Sequence, residues 1–75
     1  MRLVDKWKNQ LLKNKCKFAK IQTAHAIFDL AAIIVEMENL FTIQYPKVDS
    51  KGGVTIGQEN IARGDIVDMR YYVEG

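Results

Sequence analysis

Apolar positions near the start of the chain recur every seven residues. Val4, Leu11 and Phe18 form one set, and Trp7, Asn14 and Ile21 form a second set three residues further on. This a/d spacing predicts a helix over residues 2–21 with a narrow apolar seam. Asn14 is the polar break in that seam. It either fixes the register of an oligomer or marks where the helix ends. Residues 23–39 continue with helical period and a broader face. Ala24, Ile27, Phe28, Leu30, Ala31, Ile34, Val35 and Met37 share one side, while Gln22, His25, Asp29, Glu36 and Asn39 share a polar arc. The buried face switches by about half a turn near residues 20–23. Two arrangements fit. Thr23 caps a second helix and the chain forms a helical hairpin, or one helix of about 38 residues runs on for about 57 Å. A monomer of this size has a radius of gyration of about 11 Å, so the continuous helix implies an oligomer.

From Leu40 the period becomes two. Phe41, Ile43 and Tyr45 alternate with Thr42 and Gln44 as in a half-buried strand, which Pro46 ends or places at a sheet edge. Asp49-Ser50-Lys51-Gly52-Gly53 reads as a turn, and Val54-Thr55-Ile56 as a short returning strand. Residues 57–64 read as a connection with one helical turn around Glu59–Ala62. Ile66 to Val73 reads as the last strand, with Val67, Met69, Tyr71 and Val73 facing inward and Ile66, Asp68, Arg70 and Tyr72 facing outward. The expected fold is α+β: an N-terminal long helix or helical hairpin over residues 1–39, then a small antiparallel sheet of two to three strands over 40–75, all in one domain.

Length and composition narrow the classes. With 75 residues, 48% hydrophobic and 27% charged, the chain has ordinary globular values. Such a small core buries only about 60% of the unfolded surface, so a second copy or a partner is expected to complete it. The single cysteine, Cys16, excludes an intramolecular disulfide, and one cysteine with one histidine, His25, cannot supply the usual four ligands of a zinc site. No secretory signal pattern opens the chain, and the most apolar stretch, 24–37, carries Asp29 and Glu36. A cytoplasmic location is expected.

The net charge of +2 conceals a division. Arg2, Lys6, Lys8, Lys13, Lys15, Lys17 and Lys20 face only Asp5 in the first twenty residues, whereas acids outnumber bases in the rest. Those seven residues are the candidate contacts for phosphate or for an acidic protein. Lysine contacts the nucleic-acid backbone without regard to sequence, and only Arg2, Asn9 and Gln10 nearby suit base edges. The same segment also resembles a cationic amphipathic peptide, but a membrane role conflicts with Trp7 and Leu11 serving the core. A small nucleotide held between subunits is a further way to use the charge.

Catalytic material is sparse. Ser50, the only serine, sits in the glycine turn away from His25, and no acid pair or phosphate-loop glycine spacing is present. His25 and Asp29 stand four apart and make a solvated pair on a helix surface. Arg63-Gly64-Asp65 spells an adhesion tripeptide, here read as a turn before a strand. No cofactor is expected. These features predict a non-enzymatic binding protein, a homo-oligomeric regulator or inhibitor acting on an acidic macromolecule. Val4, Trp7, Leu11, Phe18 and Ile21 would form the seam between subunits or helices. The alternative is a sequence-nonspecific nucleic-acid-binding module using the basic helix. Eight lysines against three arginines suggest an AT-rich genome, and the character suits a phage or mobile element.

Overall fold

The computed structural model describes residues 2–72 and consists of one helix followed by a five-stranded antiparallel sheet. Helix α1 spans Leu3–Lys13. The strands are β1 (Lys17–Thr23), β2 (Ile27–Glu36), β3 (Leu40–Val48), β4 (Val54–Ala62) and β5 (Ile66–Tyr71), with a 3-10 turn at Arg63–Asp65 before β5. Their order in the sheet is β4-β3-β2-β1-β5. Four strands form a meander, and the fifth returns to lie beside the first. The α+β class is as expected, but the sheet has five strands where two to three were expected.

The helix stops where its seam turned polar. Asn14 is the C-cap, and Lys15 follows with a left-handed backbone (φ 60). The Cys16 N–H donates to the Leu11 carbonyl and the Lys15 N–H donates to that of Leu12, both at 3.0 Å. Those two bonds are a Schellman ending, which satisfies carbonyls the helix would otherwise leave bare.

Residues 17–36 form two strands, correcting the expectation that 1–39 is helical. The cause lies in what covers β2. Its run Leu30-Ala31-Ala32-Ile33-Ile34 is buried or half-buried throughout, because both faces of this central strand are covered. A strand covered on both sides loses its alternation, and period alone cannot separate it from a buried helix. The turns hid as well. Thr23 and Ala26 close the first hairpin, with the Thr23 hydroxyl accepting from the backbone N–H groups of His25 and Ala26. Met37 and Leu40 close the second. Neither turn has a residue with positive φ, so neither calls for glycine.

Two side-chain clusters lie on opposite faces of the sheet. On one face α1 lays Trp7 and Leu11 against Phe18 and Ala32, with Val4, Leu30, Ile34 and Ile56 packed around them. The Trp7 and Phe18 rings meet edge to face at 5.8 Å, and the indole N–H donates to the Gln44 side chain at 3.1 Å. The other cluster holds Ala19, Ile21, Phe28, Ala31, Ile33, Phe41, Ile43 and Ile61, with Tyr45, Ile66 and Met69 against it. All five strands contribute to it, so the sheet curls around this second core. The curl has a local origin in β2, whose pairing shifts register between Ala31 and Phe28 and again between Ile33 and Val35. Such bulges bend a strand and increase its twist.

The C-terminal half follows the period-two reading more closely. Phe41 and Ile43 are buried, and Tyr45 is half-buried. Pro46 pairs only with Ile56 of β4, beyond the point where β2 leaves β3, and so sits at a local edge that tolerates its missing N–H. Asp49 organises the expected turn. Its carboxylate accepts from the N–H groups of Lys51 and Gly53, and Gly52 takes φ 83. The returning strand, however, continues through the expected connection to Ala62. In β5, Met69 packs inward as expected, but Ile66 also does, and Val67 is 66% exposed. A register shift between Gln22 and Thr23 opposite this strand makes Val67 the extra residue and reverses its face. Val73 lies outside the described residues.

Candidate functional site

The seven basic residues are exposed, but they do not share one helix. Arg2 precedes α1, and Lys6, Lys8 and Lys13 stand on it. Lys15 occupies the turn, and Lys17 and Lys20 belong to β1. The fold gathers Lys8, Lys15 and Lys17 around an open groove of about 1230 Å³, whose walls also include Leu12, Cys16, Phe18, Asp29, Leu30, Tyr71 and Tyr72. Arg2, Lys6 and Lys13 do not line it. Lys20 reaches its rim through Asp29, at 4.0 Å between highly exposed groups, a contact worth little to stability.

Three elements position this groove. On α1, Lys8 and Leu12 stand four apart along one side, and Lys15 follows in the turn after the helix. The Schellman turn then redirects the chain so that Lys17 starts β1 beside them. Pairing of β5 with β1 sets Ala19 opposite Tyr71 and brings Tyr72 to the same place. The Lys17 ammonium lies 5.6 Å from the centre of the Tyr71 ring, a cation–π contact. The Tyr72 N–H donates to the Phe18 carbonyl at 2.9 Å, and its hydroxyl donates to the Asp29 carbonyl. Tyr71 and Tyr72 are nevertheless 48% and 49% exposed.

The tyrosines are the residues that sequence reasoning missed. Tyr71 was expected in the core and Tyr72 on a plain outer face. Their place beside the lysines depends on β5 pairing with β1, across the 42 intervening residues 24–65, which no local pattern encodes. The adjacent Tyr-Tyr pair at the end of an alternating strand was the one available signal.

The expected seam is an intrachain feature. Trp7, Leu11 and Phe18 are buried against one another within one chain, with Val4 beside them, and Ile21 lies in the opposite core. The a/d spacing that suggested a contact between subunits is a helix docking on its own sheet. Phe18 joins it by a strand whose start follows the helix closely.

The remaining candidates separate. His25 is exposed in the first hairpin turn, and Asp29 lies on β2, so the helical His25–Asp29 pair does not form. Ser50 is exposed in the Asp49 turn. Among the described residues, no three His, Cys, Asp or Glu side chains gather where they could hold a metal ion. No helix among them is long and apolar enough to cross a membrane. Arg63 of the tripeptide is exposed, but its side chain is tied back to the β2–β3 turn. Its guanidinium donates to the carbonyls of Glu38 (2.9 Å) and Met37 (3.3 Å) and lies 4.4 Å from the centre of the Phe41 ring. No family model, curated protein or solved structure matches this chain.

Proposed function

We propose that the protein is a non-enzymatic binding module that holds nucleic acid, without sequence preference, along the groove between the end of α1, β1 and the end of β5. The observation that carries this reading is three lysines and two half-exposed tyrosines around one groove. Ammonium groups contact phosphate whatever the sequence, and aromatic rings beside them suit bases. The described groove walls contain no arginine, asparagine or glutamine, the side chains best matched to base edges. Lys15 adds support. A left-handed backbone costs a non-glycine residue about 1–2 kcal/mol, yet the position at the groove carries a lysine. In this reading the protein regulates or inhibits by occupying its partner.

A salt titration tests it. The affinity for a labelled oligonucleotide, plotted as log K against log salt, should fall linearly. The slope should become shallower by about 2 when Lys8, Lys15 and Lys17 are all changed to Glu. An unchanged slope would remove the groove from the account. Displacement of the oligonucleotide by poly-glutamate at equal charge would instead favour an acidic protein partner.

Self-association belongs to the same proposal, placed on the strand edges in place of the helix seam. β4 and β5 are the outer strands, each paired on one side only, and such edges accept further strands. Light scattering reads this directly: a multiple of 8.6 kDa supports it and 8.6 kDa removes it.

A further inference from the structure

We infer that the groove takes single-stranded nucleic acid in preference to duplex, with a base stacked on the ring of Tyr72. This rests on the nucleic-acid reading above and makes it narrower. Tyr72 is tied at two points. Its N–H donates to the Phe18 carbonyl on β1, and its hydroxyl donates to the Asp29 carbonyl on β2. Both anchors are backbone atoms of paired strands in the middle of the sheet. The ring therefore has little freedom left to lose when a ligand stacks on it, while about half of the residue stays open to solvent. A rigid, exposed aromatic surface is a stacking platform, and stacking tolerates any base because every base has a π-face.

The neighbouring charges fit a strand laid across that platform. Lys17 is held over the Tyr71 ring, and both line the same groove as Tyr72. Lys8 and Lys15 stand on the helix side of the groove. A strand with one base on Tyr72 places its flanking phosphates among these ammonium groups. The space is of matching scale, since about 1230 Å³ exceeds the roughly 300–1,000 Å³ of a pocket for one small ligand. A duplex keeps its bases stacked inside and offers only phosphates to the lysines, leaving both rings unused. Asp29 is the one acid in the described walls, and Lys20 beside it offsets its charge.

The test compares an oligo(dT) strand with a duplex of equal length, by fluorescence anisotropy over a range of salt, on the full chain. The strand should bind about tenfold tighter than the duplex, and Tyr72→Leu should cost the strand about tenfold while leaving duplex affinity and salt slope unchanged. Tyr72→Phe keeps the ring but removes its hydroxyl anchor, so it should lose less of the preference for the strand than Tyr72→Leu. Circular dichroism checks that each variant folds. If the Leu variant does not fold, the wild-type ratio decides. Equal affinity of the wild type for strand and duplex would overturn the inference. So would a folded Tyr72→Leu that binds the strand as wild type does. Each of these results leaves salt-dependent binding, and the wider reading, standing. Absence of salt-dependent binding to either probe would overturn both.

Discussion

Lys15 holds a backbone conformation that glycine adopts at no steric cost, at the one point where the helix must end and β1 must begin. Replacing it should therefore separate stability from binding. Lys15→Gly is expected to raise stability by about 0.5–1 kcal/mol in urea unfolding and to weaken oligonucleotide binding in the same preparation. A variant that loses stability would show that the lysine side chain matters to the fold itself. Tyr45 gives a second residue-scale test. Its ring lies over Gly57, where an added Cβ would come within 3.0 Å, and meets Phe28 edge to face at 4.8 Å. Its hydroxyl donates to Glu59 at 3.0 Å. Burial, and then the hydrogen bond to Glu59 and the charge of that carboxylate, raise the Tyr45 pKa above the ordinary 10.0. The folded state thus favours the protonated phenol. Its contribution is intact below pH 10.0 and is lost as pH rises through the higher folded value. Tyr45→Phe should lose less stability than wild type between pH 8 and pH 11, read as the shift of the urea midpoint. An equal loss in both proteins would remove this contact as a cause.

Helix α1 is a short amphipathic element stabilised by docking. Its buried residues are Trp7 and Leu11, and isolated helices of its length are marginal in water. Leu11→Asp removes buried apolar surface and brings a carboxylate against Phe18 and Ala32. It should cost about 3–5 kcal/mol, comparable with the whole stability of so small a domain. The expected result is loss of cooperative unfolding, followed by tryptophan emission. A folded variant with only its oligomer state changed would restore the seam between subunits. At this scale the sequence was readable where a local rule governed. The spacing of Val4, Trp7 and Leu11 announced the helix, and Phe41, Ile43 and the Asp49–Gly53 segment announced the β3–β4 hairpin, whereas the helix was expected to run to residue 21 and an end at Asn14 was only one of two alternatives. It was unreadable where tertiary cover governed. β2 is apolar on both sides because α1 covers one face and the curled sheet the other. The hairpins at Ala24-His25 and Glu38-Asn39 use turns that any residue can make. Of the groove, Lys8, Lys15 and Lys17 were among the seven basic residues singled out, but the sequence did not separate them from Arg2, Lys6, Lys13 and Lys20, and the tyrosines were not legible, since only the β1–β5 pairing brings them together.

Over the whole molecule, the charge division seen along the chain is only partly gathered at one place. Three of the seven N-terminal basic residues, Lys8, Lys15 and Lys17, line one groove, and Tyr71 and Tyr72 at the end of β5 line it with them. Lysine at long range attracts a polyanion, and the rings act only at contact, so encounter and retention draw on different residues. The most direct measurement of where the partner sits is a two-dimensional amide NMR titration of the 15N-labelled protein with oligo(dT). The account predicts that the largest shifts fall on Lys8, Lys15, Cys16, Lys17, Tyr71 and Tyr72. The amides of the Asp49–Gly53 turn and of β4 should remain in place. Shifts centred on β4 or on that turn, with the groove amides unmoved, would contradict it.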